Sequence, residues 1–426
     1  MTHSCDVLVI GGGPAGSAVS SLLADNGWQV TVLEKDHHPR FHIGESLLPM
    51  SVPLFDRLGV LDEVEQIGLR KYAAEFHSMY HGGSSRFHFG DALDKAYPYA
   101  YEVKRADLDH LLIRNAARKG VDVREGCRVT AVELAEDEIR TVMSRTDQGV
   151  EEQWRARFVI DASGRDTFLA THLGSKSRNP KHNSAALFGH FRGAVRQCGQ
   201  DEGNICIHWF DHGWFWMIPL KDDLMSVGAV CWPYYLKTRD VSVEKFFRNT
   251  IALCPDVQAR LAAAELVSEV TATGNYSYQS SRMRGRNYLL IGDAFAFIDP
   301  VFSSGVHLAL NGAFEAADAV DAILRDPALA EARLKSYEKV VRGGLQRFSW
   351  FIYRITTPAI RDMVMHPRNP MRVKEAVISL LAGDIFRDTP IRFRLVLFKI
   401  IYYLKTLFDP KASYAAYKRR RQNVVA

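Results

Sequence analysis

Asp6-Val-Leu-Val-Ile10-Gly11-Gly12-Gly13-Pro14-Ala15-Gly16 runs a short apolar strand straight into G-x-G-x-x-G. Glycines at this spacing permit a tight turn, close approach of the backbone to a pyrophosphate, and close packing of the next helix on the sheet. Ser17 to Asp25 reads as that helix, and its unpaired N-terminal amides and positive dipole end suit phosphate groups. Gln29-Val-Thr-Val-Leu33 reads as a second strand ending at Glu34. That acid falls about 20 residues past the glycines, where a carboxylate accepts hydrogen bonds from an adenosine ribose. A glycine triplet alone is also what an ordinary turn looks like. Strand, turn, helix, strand and acid in this order favour a dinucleotide cradle.

Two later stretches repeat the theme. Phe158-Val-Ile-Asp161-Ala-Ser-Gly164-Arg165 is a strand tipped by an acid and a glycine turn, suited to lie against a nucleotide. Tyr288-Leu-Leu-Ile291 leads into Gly292-Asp293, then through Pro300 and Ser303-Ser304-Gly305 to a helix expected from Val306 to about Leu324. Amides at that helix start would face an anion, and the bland alternative is a connecting loop. Gly44-Glu45-Ser46 precedes a helix expected over residues 47–58 and reads equally well as a simple cap. Lys71, taken alone, reads as a solvated surface residue. Arg105 opens a helix reaching Lys119, with Asp107 and Asp109 in its first turn, where the dipole favours acids.

Residues 180–275 alternate and are rich in aromatics, consistent with one large antiparallel sheet in which Trp214, Trp216 and Ile218 share a face. From about Ala328 the pattern is helical. The apolar run of residues 392–408 is interrupted by Arg392, Arg394, Lys399 and Lys405, so a packed helix is expected there and no membrane span.

A chain of 426 residues has room for two or three domains. The net charge of +5, concentrated partly in Lys418-Arg-Arg-Arg421, argues against a nucleic-acid partner, because a short basic tail is usually only solvated. Cysteines at 5, 127, 198, 206, 231 and 254 form no C-x-x-C and no Cys/His group at metal-ligand spacing. No metal site or disulfide framework is therefore expected, and the thiols read as reduced core residues. The first strand begins almost at once, leaving no basic region and apolar signal core, so a cytoplasmic location is expected.

Taken together, the motifs resemble those of the flavin-dependent halogenases, within the two-dinucleotide-motif FAD monooxygenases. Gly11, Gly13 and Gly16 with Glu34, then Asp161-Ala-Ser-Gly164, then Gly292-Asp293, are general flavoprotein features. Trp214-Phe-Trp216-Met-Ile218-Pro219 fits the halogenase W-x-W-x-I-P, and Phe297-Ile-Asp-Pro300-Val-Phe-Ser303-Ser-Gly305 fits F-x-x-P-x-x-S-x-G. Lys71-Tyr-Ala-Ala-Glu-Phe76 looks like the K-x-G-A-x-F of phenol and pyrrole halogenases, with Ala73 where the pattern has glycine. Gly44-Glu-Ser-Leu-Leu-Pro49 and Leu381-Ala-Gly-Asp384 extend the likeness toward pyrrolyl-carrier-protein halogenases of the pyoluteorin type, with the tryptophan halogenases more distant.

The resemblance implies an α/β fold: a discontinuous Rossmann-like FAD-binding domain (residues 1–75, 102–175 and 276–327), an inserted antiparallel-sheet substrate domain (76–101 and 176–275) and a helical C-terminal region (328–426). It adds Ala15, Lys35, Glu45, Ser46, Arg105, Pro300, Gly305 and Val306 to the residues expected around FAD. It places chloride or bromide at Ser303, Ser304 and Gly305, and it makes Lys71 the residue that directs hypohalous acid onto an electron-rich ring. The tryptophans would keep the organic substrate from the flavin.

With one full dinucleotide fingerprint, reduced flavin is expected from a separate flavin reductase. The expected substrate is a phenol or pyrrole, either free or bound to an acyl-carrier protein, and the oligomeric state is left open. Three rivals share these motifs: an aromatic hydroxylase, a flavin dehydrogenase, and a flavin-binding partner subunit without catalysis.

Overall fold

The computed structural model describes residues 2–425 apart from 136, 137, 180–182, 275, 276 and 388. Its first sheet is assembled on the strand Thr2–Ile10, which pairs in parallel with Val30–Leu33 on one side and Glu151–Asp161 on the other. Asp122–Arg124 and Tyr288–Leu290 extend it in parallel at the two flanks. Val7, Leu8 and Val9 are fully buried, as continuous apolar runs must be when both faces of a parallel sheet are covered. Helices Pro14–Asp25, Arg105–Arg118 and Gly305–Arg325 provide cover. A meander of Cys127–Ala135 and Glu138–Thr146 pairs antiparallel with the first half of Glu151–Asp161.

The register brings the carboxyl ends together. Ile10 lies opposite both Leu33 and Asp161, and Asp161 opposite Leu290. Ligands of open parallel sheets bind beyond this edge.

The second sheet runs Glu265–Leu266, Ala185–Arg192, Leu224–Cys231, Gly213–Pro219, Ile205–Phe210, Ala73–Ser78 and Gly83–His88, with Thr271–Thr273 also on Ala185–Arg192. It departs from the expected all-antiparallel arrangement at one place: Ile205–Phe210 and Ala73–Ser78 are parallel. These two strands are joined through the first domain, and so long a crossover lets them run in the same direction. The strand Ala73–Ser78 spans the expected domain boundary at 75/76, and Ala100–Glu102 pairs with Leu69–Lys71 outside the large sheet. The boundary drawn at 275/276 lies outside the described residues.

Helices Ala330–Ile352, Pro358–Met365, Val373–Leu381, Ile391–Phe408 and Pro410–Val425 complete the chain. The first four close over the tryptophan face of the second sheet, where Trp214, Trp216, Val301 and Phe302 share a core with Phe348, Ile352 and Ile378. Among the described residues no helix is long and apolar enough to cross a membrane. Ile391–Phe408 packs by one face only, burying Leu395, Phe398 and Tyr402 while Phe393, Val396, Ile400 and Leu404 stay exposed. The side chains of residues 419–421 in the basic tail lie outside the described residues. All six cysteines are free; Cys198 is exposed and Cys5 half-buried, so these two are not the core residues expected.

Candidate functional site

A long cleft opens at the carboxyl edge of the parallel sheet and continues along the tryptophan face of the second sheet. Its floor is the glycine turn. Gly11 has φ +100° and its missing Cβ would lie 2.5 Å from the Ala162 carbonyl oxygen, so the turn can be made only by glycine. Gly16 does not line the cleft. A Cβ there would meet the Gly11 carbonyl oxygen at 1.9 Å, which is the close packing expected of the third glycine. At Gly13 a Cβ would project into open cleft, with Arg40 Nη2 the nearest atom at 3.9 Å.

Two helices start at this cleft without a capping side chain. Pro14–Asp25 begins after Gly13, and Gly305–Arg325 begins after Ser304; neither has an acid in its first turn. Their first amides therefore remain available to anionic ligands. Ser303 sits in the left-handed region at φ 55° and turns the chain into the second helix. Pro300, Ser303, Ser304, Gly305 and Val306 all line the cleft, as do Ala15, Gly164 and Asp293. Burial pushes the Asp293 carboxyl up, against the pull of Arg105 and Arg165.

The acids expected beside a nucleotide divide into two kinds. Glu34 lines the cleft, but its oxygens already accept from Gly12 N at 2.6 Å and Asp36 N at 2.9 Å, so a ribose would share an occupied carboxylate. Asp161 does not reach the cleft. Its carboxylate accepts from Ser163 N at 2.9 Å and Leu169 N at 2.7 Å, which makes it the clasp of the turn after its strand. Gly292 likewise stands behind the lining, with Asp293 in front. Lys35 lines the cleft and pairs with Asp166 at 2.5 Å. The Arg105 guanidinium forks onto Asp109 at 2.8 and 3.0 Å and donates to the Ile43 carbonyl at 2.9 Å. It anchors the wall formed by Ile43, Gly44, Glu45 and Ser46.

The fit to a flavin dinucleotide rests on that floor: an open space at Gly13 that a Cβ would fill, beside an uncapped helix start. Farther along, Trp214 and Trp216 line the cleft with ring centroids 6.0 Å apart. Trp216 Nε1 donates to Ser226 Oγ at 3.2 Å, which fixes its ring against the neighbouring strand at the cleft wall.

Lys71 is not on the surface, and it does not line the cleft. It is 1% exposed, in a small polar pocket behind the wall. Its ammonium donates to Ser46 Oγ at 2.7 Å, Ser46 Oγ donates to Glu102 Oε1 at 3.2 Å, and Lys71 Nζ lies 3.6 Å from that oxygen. Burial lowers the Lys71 pKa against the opposing pull of Glu102, while burial raises that of Glu102 against the pull of Lys71. Beside it, Glu45 Oε1 meets His190 Nε2 at 2.8 Å, and Glu45 Oε2 is buried without a hydrogen-bond partner. Ser46 is thus the link between cleft and lysine. Glu102 and His190 were not found from sequence; they meet Ser46 and Glu45 across 56 and 145 residues and belong to no local motif.

The FAD binding domain family matches residues 4–344. A tryptophan 2-halogenase of Chondromyces crocatus is 35% identical over 83% of this chain and 68% of its own length. A 1H-pyrrole-2-carbonyl-[peptidyl-carrier protein] chlorinase of Pseudomonas fluorescens is 29% identical over 90% of each chain. The tryptophan enzyme thus has the higher identity of the two, against the expectation that such halogenases stand farther off. Among solved structures, the myxobacterial chondrochloren halogenase superposes with a TM-score of 0.79 at 32% identity, covering 97% of both chains. With its glycine cradle, paired tryptophans and S-x-G helix start on one cleft, this chain is an FAD-dependent enzyme and belongs to the flavin-dependent halogenases.

Proposed function

We propose that the protein halogenates an electron-rich aromatic ring, a phenol or a pyrrole, with hypohalous acid directed by Lys71. The observation that carries this reading is the burial of Lys71 against Ser46 and Glu102, since a water-free ammonium needs a reason to be there. Reduced flavin, supplied by a separate reductase, contributes the oxidising equivalent with oxygen when bound.

The chain's own residues do the rest. Helix-start amides at Ser304 and Gly305 hold chloride or bromide by charge and dipole. Trp214 and Trp216 keep the ring out of the cofactor end of the cleft. The Lys71 ammonium donates a hydrogen bond to the oxygen of hypohalous acid. As the ring's π electrons form the carbon–halogen bond, the oxygen–halogen bond breaks and the departing oxygen takes the Lys71 proton, leaving as water. The ring proton leaves to water, and Lys71 regains its own proton through Ser46, which reaches the cleft. The sum is ring C–H plus hypohalous acid to ring C–halogen plus water.

The likeness to a chlorinase acting on a carrier-bound pyrrole supports testing a tethered substrate beside free ones. The experiment supplies reduced flavin, oxygen, and chloride or bromide to a panel of phenols, indoles and pyrroles, free and carrier-bound, and weighs the products. A halide-dependent mass gain is expected. Oxygen insertion that ignores halide would replace this reading with a hydroxylase.

A further inference from the structure

On the outer side of the second sheet, away from the cleft, four metal-ligating side chains form a square. Glu75 and His77 alternate along Ala73–Ser78, and Cys206 and His208 along Ile205–Phe210, so each pair shares a face. The parallel register sets Cys206 opposite Glu75 and His208 opposite His77. Ligating atoms of His77, Cys206 and His208 all lie within 4.8 Å of one another. The opposite face of the same strands carries Phe76, Ile205 and Ile207 into the core behind the tryptophans.

His208 is 1% exposed, and neither of its ring nitrogens has a hydrogen-bond partner. A buried imidazole with both nitrogens unsatisfied carries a desolvation cost that a ligand would remove. Its ring stacks on His77 at 4.2 Å and 15°. The neighbouring groups suit a bound cation. Arg260 Nη1 donates to Cys206 Sγ at 3.2 Å, and Glu75 Oε1 lies 2.7 Å from His77 Nε2. Glu75 Oε2 is in turn held by Arg86 at 2.8 Å, so the nearby guanidiniums are engaged with sulfur and carboxylate.

We propose that His77, Cys206 and His208 bind a zinc ion, with Glu75 the adjoining carboxylate. Mixed nitrogen and thiolate donors are zinc's preference among the biological divalent ions. Bond lengths of about 2.0–2.1 Å to nitrogen and 2.3 Å to sulfur require the donors to close by roughly 1 Å, which the two imidazoles achieve by splaying from their stack. The ion would tie together the one parallel junction of the sheet, where a strand from the first fifth of the chain joins one about 130 residues later. Its role is structural, on the face of the sheet turned away from the halogenation cleft. Sequence spacing gave no sign of it because Cys206-x-His208 is only half a site, and His77 arrives from another strand.

The test uses the full chain with its flavin. Elemental analysis after dialysis against zinc is expected to find one equivalent per chain, and a strong chelator is expected to lower the melting temperature by several degrees. Cobalt(II) titrated into the metal-stripped protein should give a thiolate-to-cobalt charge-transfer band, lost in Cys206→Ser, and His208→Ala should bind neither metal. No zinc above trace with an unchanged melting temperature would overturn the proposal. So would cobalt binding without the thiolate band, or binding equal in Cys206→Ser, since either places the ion elsewhere. These readouts use the parent protein first, so an unfolded variant cannot hide the answer.

Discussion

The cleft floor and the Lys71 pocket are built in opposite ways. The floor is made of backbone: a glycine turn, two uncapped helix starts, and strand ends aligned by register. The pocket is made of side chains, with Lys71, Ser46 and Glu102 brought in from three separate segments and buried together. A backbone site tolerates any side chain that leaves the path open, and fails when a Cβ blocks it. A side-chain site has the reverse sensitivity, since its geometry survives many backbone-neutral changes but its chemistry does not survive loss of one functional group.

The sharpest break should come at the floor. Gly16→Val places a Cβ against the Gly11 carbonyl oxygen at 1.9 Å, so both the turn and the helix contact must move. We expect loss of FAD and a fall in the melting temperature of the cofactor-free protein, from a destabilisation of about 3 kcal/mol. Gly13→Val separates the two effects, because its Cβ enters open cleft. Its cofactor-free melting temperature should match the parent's while flavin absorbance after reconstitution is lost. Normal flavin occupancy in Gly13→Val would remove the cradle from the argument.

At the pocket the expected effect is chemical. Lys71→Met should retain FAD and still consume oxygen with reduced flavin, yet lose about a hundredfold or more of halogenation, the scale of one positioned proton-transfer group. It also leaves Glu102 buried without its cation, a cost of about 3 kcal/mol or more. The double variant Lys71→Met with Glu102→Gln should recover most of that stability and none of the activity. Recovery of both would make the pair a folding element and nothing more.

Legibility followed the same division. Glycines, the strands around them and the S-x-G helix start are local, so the cradle, the second helix and the α/β class could be read along the chain. Asp161 was misplaced because an acid at a strand tip looks the same whether it faces a nucleotide or clasps the amides of Ser163 and Leu169. Lys71 read alone as a surface residue, and only its likeness to a family pattern marked it; the pocket that gives it significance is completed by Ser46 and Glu102, which stand on separate segments. The parallel junction of Ala73–Ser78 with Ile205–Phe210 was missed for the same reason, since register between distant strands leaves no trace in either one.

A pH test probes where floor and C-terminal helices meet. His307 lies in the first turn of Gly305–Arg325, buried, with Nε2 2.9 Å from the Gly383 carbonyl oxygen and Nδ1 3.2 Å from Ser51 Oγ. Burial lowers its pKa to about 4 from an ordinary 6.5, against the raising effect of the Gly383 carbonyl. As pH falls the unfolded chain takes up this proton first, so the stabilisation is complete above about 6.5 and is lost on the way down to about 4. At pH 5 the loss amounts to about 2 kcal/mol. In His307→Gln the melting temperature should fall less steeply over that interval than in the parent. Equal slopes would assign the acid sensitivity to other groups.

The smallest expected effect joins the two regions. Gly305 is the first residue of a helix whose amides face the cleft, and a Cβ there meets no protein atom within 4 Å. Gly305→Val therefore should not disturb the fold, and any effect must fall on what occupies the cleft. A halide carries charge but no donor, so it depends on amides that a branched side chain would partly screen. The expected result is FAD occupancy and melting temperature at parental values, with the bromide concentration for half-maximal halogenation raised about tenfold, equivalent to ~1.4 kcal/mol of lost anion binding. Loss of FAD in this variant would show that the helix start faces the cofactor and that the halide lies elsewhere. An unchanged bromide requirement with flavin bound would do the same for the halide alone, leaving the cradle assignment intact while removing Ser304 and Gly305 from the anion site.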